Sequence, residues 1–196
     1  MSDMTSVVLA GGRSTRLGKD KAWVELAGRP LIEHVLSRLF ALGNEIIMVT
    51  SQADTFPDLG VTKVADIYPD KGPLGGLYTG LKATRTCHCL VVACDMPLLN
   101  IALLQRLMEL SPGYDVVVPR VGTNVEPLHA VYSRDCLEAI RAAIQHNRLQ
   151  VQSFFDQVEV RYVDDAELAQ FDPEHLSFFN INSESDLKKA QALLER

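Results

Sequence analysis

Short apolar runs rich in valine and isoleucine alternate along the chain with segments whose apolar residues recur every three or four positions. The first pattern is typical of buried strands and the second of amphipathic helices. The apolar runs predict strands at residues 7–9, 46–49, 62–65, 90–93, 115–119, 128–132 and 158–163. The periodic segments predict helices at 30–42, 74–83, 101–110 and 134–145, and a last helix that begins at Ser183.

Two of the predicted helices carry end signals. Pro30 suits the first turn of its helix, and Gly43 stands where a left-handed residue would end it. Ser183 and Asp186 have the spacing of a capping box, with Asp in place of the usual Glu.

Alternating strands and helices indicate an α/β fold, because parallel strands need helical crossovers that cover the sheet. We therefore expect a mostly parallel central sheet with helices on both faces. The alternation loosens in the second half, where strands 128–132 and 158–163 are expected to form a small mixed or antiparallel edge. No repeat, low-complexity tract or linker divides residues 1–196, which indicates a single domain.

Composition narrows the function classes. With 47% hydrophobic and 22% charged residues among 196, the chain is not of the disordered type. Its net charge of -6 argues against general nucleic-acid binding. No apolar run reaches the length of a membrane span, and no secretory signal is present. The four cysteines form neither a disulfide framework nor a zinc pattern. A cytoplasmic protein without a nucleic-acid or membrane partner is expected.

The segment after the first strand, residues 9–21, reads LAGGRSTRLGKDK and holds four cations. Small residues let backbone N–H groups approach phosphate, and the cations add charge. The spacing is not that of a P-loop, because five residues separate Gly12 from Gly18 and Asp20 follows Lys19. It is not a G-x-G-x-x-G motif either. We interpret it as a phosphate-binding loop, the alternative being a solvated surface loop.

Two further segments follow predicted strands, at the sheet edge where ligands bind in open α/β folds. In CDMP at 94–97, the Asp95 carboxylate can hold Mg²⁺, or it can cap the turn before the next helix. In GPLGG at 72–76, the small residues can pack against a base or ribose, or simply begin a helix.

Taken in order, LAGG-x-S-x-R-LG-x-DK at 9–21, GPLGG at 72–76, CDMP at 94–97 and NINS at 180–183 resemble the MobA family, the molybdenum cofactor guanylyltransferases. The first motif is shared with many nucleotidyltransferases, whereas the combination is far more specific. The resemblance implies a single-domain Rossmann-like nucleotidyltransferase fold. It also implies transfer of GMP from GTP to the phosphate of molybdopterin carrying molybdenum, with release of pyrophosphate.

The resemblance further implies a role for each matching position. It assigns nucleotide binding to Leu9, Ala10, Gly11, Gly12, Lys21, Asp66, Gly75 and Asp95. It assigns catalysis to Arg16, Lys21 and Asp95, with Asp95 as the ligand of Mg²⁺ or Mn²⁺. One family position is missing, because an expected Asn after the second strand is replaced by Thr50, Ser51 or Gln52.

The second substrate has four candidate contacts. Asn180 and Asn182 match paired asparagines of the family, and His129 and Arg148 are added as second-substrate or metal candidates. The alternative for His129 is a strand histidine that faces solvent, and for Arg148 an exposed cation that pairs with carboxylates. Transient contacts with molybdoenzymes or their chaperones are expected in addition to GTP and molybdopterin.

These residues are of the types that nucleotidyl transfer requires. A phosphate monoester is already ionised near neutral pH, so the reaction needs positioning and charge neutralisation rather than a general base. Three alternatives remain: a cytidylyltransferase acting on the same pterin, a sugar-1-phosphate nucleotidyltransferase, and an adaptor that binds the nucleotide or molybdopterin without turnover. Cytidylyl relatives tend to carry LAAG instead of LAGG, and an adaptor would tolerate loss of Lys21 or Asp95.

Overall fold

A computed structural model describes residues 4–11, 21–51 and 56–195. Its strands are β1 (Thr5–Leu9), β2 (Glu25–Leu26), β3 (Arg29–Pro30), β4 (Ile46–Thr50), β5 (Thr62–Ala65), β6 (His88–Ala93), β7 (Val116–Val121), β8 (Asn124–Val125), β9 (His129–Ser133) and β10 (Val160–Asp164). Its α-helices are α1 (Leu31–Phe40), α2 (Gly72–Ala83), α3 (Ile101–Glu109), α4 (Leu137–Gln145), α5 (Asp165–Leu168) and α6 (Glu184–Leu194).

One central sheet has the strand order β10-β7-β9-β6-β1-β4-β5, and β8 pairs with β7. Strands β1, β4, β5 and β6 run parallel, and β10 is parallel to β7. Among the described strands of five or more residues, only β9 is antiparallel to both of its neighbours, β6 and β7. The predicted mostly parallel α/β sheet is therefore confirmed.

The antiparallel pairing expected in the second half is confirmed for β9, but its expected place at an edge is wrong. Strand β10 lies at the edge, but it pairs parallel to β7. Strand β9 lies inside the sheet, between β6 and β7, and every one of its residues is buried. The buried residues of β9 suit a central strand, but the order of strands in the sheet cannot be derived from the sequence of one strand.

Side chains alternate between the two faces of the sheet, as the period of a strand requires. On one face, Val8 of β1 belongs to a buried cluster with Val35 of α1 and Leu103 of α3. On the other face, Val7 belongs to a cluster with Leu77 of α2 and Ile140 of α4. Helices thus cover both faces, as predicted.

The ends of the helices largely agree with those predicted from the sequence. Helix α1 begins directly after Pro30, and Gly43 adopts the expected left-handed conformation with φ +72°. The capping box is confirmed, since Ser183 Oγ accepts a hydrogen bond from the Asp186 N–H at 3.2 Å. The helix predicted at 134–145 instead opens with a 3-10 turn at Arg134–Cys136 before α4.

Two parallel neighbours of β1 bring their carboxyl ends beside its own. The Ala10 N–H donates to Val49 O at 2.8 Å, and the Cys94 N–H donates to Leu9 O at 3.2 Å. The segments that follow β1, β4 and β6 therefore leave the sheet side by side. None of the helices within the described ranges has the length and apolar character that crossing a membrane requires.

Candidate active site

A cleft of about 600 Å³ opens at the carboxyl ends of β1, β4 and β5, beside the start of α2. Its size lies in the range of small-molecule sites. Among the described residues it is lined by Leu9, Gly11, Val49, Ser51, Asp66, Pro69, Asp70, Gly72, Pro73 and Gly76. Three residues that the sequence assigned to nucleotide binding, Leu9, Gly11 and Asp66, thus lie in one cleft.

The segment after β1 forms one wall of this cleft. Leu9 and Ala10 are buried, whereas Gly11 is exposed. The Ala10 N–H is used within the fold, because it donates to Val49 O. Gly11 therefore presents the first exposed backbone of this segment to the cleft. Gly12 and Arg16, assigned to nucleotide binding and catalysis, lie outside the described residues.

Asp66 is fixed at the cleft wall by three hydrogen bonds. Its Oδ1 accepts from the Thr79 hydroxyl at 2.7 Å and from the Tyr68 N–H at 2.9 Å, and its own N–H donates to Thr50 O. All the side-chain bonds fall on Oδ1, so within the described part of the chain Oδ2 has no hydrogen-bond donor. Thr79 was not predicted; its only sequence signal is a polar residue one turn after Gly75 on a buried helix face.

The two central glycines of α2 face different neighbours. A Cβ built on Gly75 would lie 2.4 Å from Tyr68 O, so Gly75 lets the helix pack directly against the loop that follows β5. Gly76 lines the cleft and packs against the Leu9 side chain. Gly75 therefore lies in the expected segment, but the cleft wall is formed by Gly72, Pro73 and Gly76.

A second group of polar side chains lies at the carboxyl end of β6. Lys21 Nζ donates to Asp95 Oδ2 at 2.8 Å and to Asn182 Oδ1 at 2.5 Å. The side chains of Lys21 and Asp95 are 24% and 13% exposed, so the ion pair is shielded from much of the solvent. We call Lys21, Asp95 and Asn182 the lysine cluster. It joins the turn before β2, the end of β6 and the segment before α6.

The segment before α6 is attached to this cluster through its backbone as well. The Ile181 N–H donates to Asp95 O at 3.0 Å, and the Asn182 N–H donates to Asp186 Oδ2 at 3.1 Å. Hydrogen bonds from the Ser183 hydroxyl and the Asn182 N–H hold the pKa of the Asp186 carboxyl below its ordinary value. Asp186 was predicted only as part of a helix cap, because the capping pattern says nothing about what Asn182 contacts.

Asp95 does not cap the helix that follows it. The cap of α3 is Asn100, whose side chain accepts from the Leu103 N–H at 3.1 Å. The capping alternative for Asp95 is therefore wrong, and its carboxylate is instead paired with Lys21.

The carboxylate of Asp95 fits an ion that keeps much of its own water. Within the described ranges, no group of three or more His, Cys, Asp or Glu side chains is arranged to hold a metal. Mg²⁺ is commonly bound by one or two carboxylates together with waters and substrate phosphates, so a single carboxylate at a sheet edge matches its needs. Oδ1 of Asp95 takes no part in the pair with Lys21.

His129 lies in the core and not at the site surface. Its ring is fully buried and packs edge-to-face on Phe178 with a centroid distance of 4.9 Å. Burial lowers its pKa to about 3, and neither ring nitrogen finds a hydrogen-bond partner in the described part of the chain. The solvent-facing alternative is wrong, and a buried ring is not presented to a second substrate.

The remaining candidates differ in their surroundings. Asn180 is half-buried and donates from Nδ2 to Phe178 O at 3.1 Å, so it does not join the lysine cluster. Arg148 is exposed and donates to Ser153 O at 3.1 Å, which secures the loop after α4 rather than pairing with a carboxylate. Of the four second-substrate candidates, only Asn182 is hydrogen-bonded to Lys21 in the described part of the chain.

Comparison with known proteins places this geometry in a family. Residues 6–162 match the family model of the MobA-like NTP transferase domain. A probable molybdenum cofactor guanylyltransferase of Pelotomaculum thermopropionicum is 38% identical over 195 residues, which cover 100% of this chain and 95% of the relative. A molybdenum cofactor guanylyltransferase of Desulfosudis oleivorans is 31% identical, with 100% and 98% covered.

A solved structure agrees with these relatives. The crystal structure of molybdopterin-guanine dinucleotide biosynthesis protein A from Archaeoglobus fulgidus superimposes with a TM-score of 0.86 at 28% identity, covering 98% of this chain and 99% of that one. The match of the family model, the relatives and the fold shows that the chain belongs to the family of MobA-like NTP transferases.

Proposed function

We propose that the protein transfers GMP from GTP to the phosphate of molybdopterin carrying molybdenum and releases pyrophosphate. The observation that carries this proposal is the end-to-end similarity to relatives named molybdenum cofactor guanylyltransferase. The cleft and the lysine cluster supply the parts that such a transfer needs: a nucleotide-sized cavity, a cation and a carboxylate at neighbouring strand ends.

The nucleotide occupies the cleft in this proposal. Gly11 offers exposed backbone to the nucleotide, and Gly72, Pro73 and Gly76 form the wall for the base. Asp66, held by Thr79 and Tyr68, keeps a carboxylate oxygen for the nucleotide. Rigid placement of this kind lowers the entropy that must be lost before the reacting groups align.

Lys21 neutralises phosphate charge, because its ammonium supplies donors to phosphate oxygens. Arg16 adds a second cation from the segment after β1. Asp95 holds Mg²⁺, or Mn²⁺, which when bound supplies further neutralisation of the phosphates and of the leaving pyrophosphate. The acceptor phosphate is already ionised near neutral pH, so no residue of the chain has to remove a proton. This agrees with the burial of His129, which leaves that ring away from the reaction.

The acceptor approaches from the side of α6 in this proposal. Asn182 is exposed and lies against Lys21, so it can reach an acceptor phosphate beside the reacting centre. Asn180 and the exposed Arg148 are placed further out as contacts to the anionic pterin. The product is then passed on, which calls for transient contacts with molybdoenzymes or their chaperones. The four cysteines are free thiols, which suits a reducing cytoplasm.

Pyrophosphate release and product mass test the proposal directly. The purified protein is incubated with Mg²⁺, GTP and molybdopterin carrying molybdenum, and each component is omitted in turn. Pyrophosphate and a guanine dinucleotide product should appear only in the complete mixture. Equal turnover with CTP would instead assign the protein to the cytidylyl branch, and binding of both substrates without pyrophosphate would support the adaptor.

A further inference from the structure

A chain of three hydrogen bonds leads from α6 to the Lys21–Asp95 pair. Asp186 Oδ2 accepts from the Asn182 N–H at 3.1 Å, Asn182 Oδ1 accepts from Lys21 Nζ at 2.5 Å, and Lys21 Nζ donates to Asp95 Oδ2 at 2.8 Å. Within the described residues, Asp186 makes no hydrogen bond or ion pair with Lys21 or Asp95. The hydrogen bonds that link Asp186 to Lys21 run through Asn182.

The cap of α6 does not account for all the bonds of Asp186. Ser183 caps the helix by accepting from the Asp186 N–H, which uses only the backbone of Asp186. The Asp186 carboxylate makes two more bonds, to the Ser183 hydroxyl at 2.8 Å and to the Asn182 N–H. The second of these lies outside the helix and fixes the backbone of the residue that holds Lys21.

Asn182 needs such an attachment because it is exposed. An exposed side chain that must hold one geometry loses rotamer freedom, and a fixed backbone reduces the freedom that has to be lost. On the other side, the Ile181 N–H is bonded to Asp95 O. The segment 181–186 therefore holds Asp95 through one peptide group and Lys21 through the next side chain.

We propose that Asp186 is a positioning residue that acts through Asn182 to hold the Lys21 ammonium beside Asp95. This rests on the proposed function only in so far as Lys21 is expected to meet the nucleotide phosphates. The positioning itself is a property of the protein without its substrates. It can be measured separately from catalysis.

The first test measures the reactivity of the Lys21 amine. Acetic anhydride is applied to the native protein, and the acetylation rate of each lysine is followed by mass spectrometry of its peptide. In Asp186→Ala, Lys21 should react about fivefold faster, the ratio that corresponds to the loss of one net hydrogen bond. Lys63, which donates to Phe56 O at 2.7 Å, should keep its rate and serves as the internal reference.

Two variants separate positioning from other effects of Asp186. Asp186→Asn keeps an acceptor oxygen for the Asn182 N–H and should restore slow acetylation. Glu184→Gln removes a negative charge from the first turn of the same helix, where the side chain is exposed, and should leave the rate at its parent value. An unchanged Lys21 rate in Asp186→Ala, or an equal increase in Glu184→Gln, would overturn the proposal.

The second test is a double-mutant cycle on the transfer reaction. Asp186→Ala should lower kcat/KM about tenfold, as is typical when a residue that supports a site is removed. In an Asn182→Ala background the same change should alter kcat/KM less than twofold, because the route to Lys21 is already broken. If the two substitutions instead lower kcat/KM independently, so that their free-energy effects add, Asp186 has a general structural effect and the proposal is contradicted. An inactive parent protein would count against the proposed function alone, since the acetylation result does not depend on turnover.

Discussion

Lys21 Nζ and Asp95 Oδ2 lie 2.8 Å apart although the two residues are separated by 74 positions in the chain. The pair holds at one point a cation suited to phosphate and a carboxylate suited to a divalent metal. Each group also neutralises the other. Replacement of either residue should therefore affect its partner as well as the ligand that it is proposed to hold.

Lys21→Ala should weaken GTP binding about tenfold to a hundredfold, because a charge-assisted hydrogen bond to phosphate is lost. The fold should remain, with a loss of about 1 kcal/mol in the free energy of unfolding from the broken ion pair. Titration calorimetry with GTP and thermal unfolding check both values. Lys188→Ala, an exposed lysine of α6, is the matched control and should change neither. An unfolded Lys21→Ala protein would mean that the residue is structural.

Asp95→Asn should lower the transfer rate by a factor of about 10² to 10³, the usual effect of removing one electrostatic stabiliser. The amide can still accept from Lys21, and Asn100 caps α3, so the unfolding temperature should change little. Pyrophosphate release at saturating Mg²⁺ measures the rate. Asp164→Asn, which removes a carboxylate from the exposed pair with Arg120, should leave the rate intact. Turnover within about threefold of the parent would remove Asp95 from the mechanism.

GTP with Mg²⁺ should raise the unfolding temperature more than CTP, ATP or UTP does. A ligand that binds the folded protein stabilises it by mass action, so the order of the four shifts reports the choice of base. The expectation rests on the cleft wall formed by Gly11, Gly72, Pro73 and Gly76. An equal or larger shift with CTP would indicate a cytidylyltransferase.

Gly75→Ala should lower the free energy of unfolding by about 2 kcal/mol, because the new Cβ would lie 2.4 Å from the backbone oxygen of Tyr68. Gly76→Ala is the control one position later on the same helix. Its Cβ would lie 3.3 Å from the flexible end of Leu9, and the gain in helix propensity of about 1 kcal/mol should offset the contact. Urea unfolding of both variants measures the difference. Equal losses would show that the close approach of Tyr68 has no special cost.

His129→Phe should make stability less dependent on pH. Burial lowers the pKa of His129 from the ordinary 6.5 to about 3, so the unfolded chain binds the proton more readily than the folded one. Above pH 6.5, His129 is neutral in both the folded and the unfolded chain, and its contribution to the free energy of unfolding is fully present. As the pH falls from 6.5 towards 3, only the unfolded chain takes up the proton, so the free energy of unfolding falls by up to about 1.4 kcal/mol per pH unit. Urea unfolding between pH 7 and 4 measures the slope. An unchanged slope in His129→Phe would contradict the prediction.

The periodic segments predict most of the helices because their apolar faces repeat with the turn of a helix. Helix α3, expected at 101–110, is found at Ile101–Glu109. The position of β9 between β6 and β7 could not be predicted, since a buried run does not identify the strands beside it. The β2–β3 hairpin was missed because each of its strands has only two residues.

The positions of several site residues follow from the rule that parallel strands end at one edge. This rule brings Leu9 and Asp66 to the cleft, and Asp95 to the carboxyl end of β6. The orientation of a residue was not predictable in the same way. Gly75 faces Tyr68 and His129 faces the core, and neither fact can be derived from spacing along the chain.

Asn182 is far along the chain from the residues that line the cleft, and this separation has a consequence for protein synthesis. Every described residue that lines the cleft precedes residue 77, whereas Asn182 leaves the ribosome much later. Chains fold progressively as they emerge, at about 5 to 20 residues per second. The attachment of Lys21 is therefore completed only after residue 182 has been made, and a chain cut short before Asn182 would lack it.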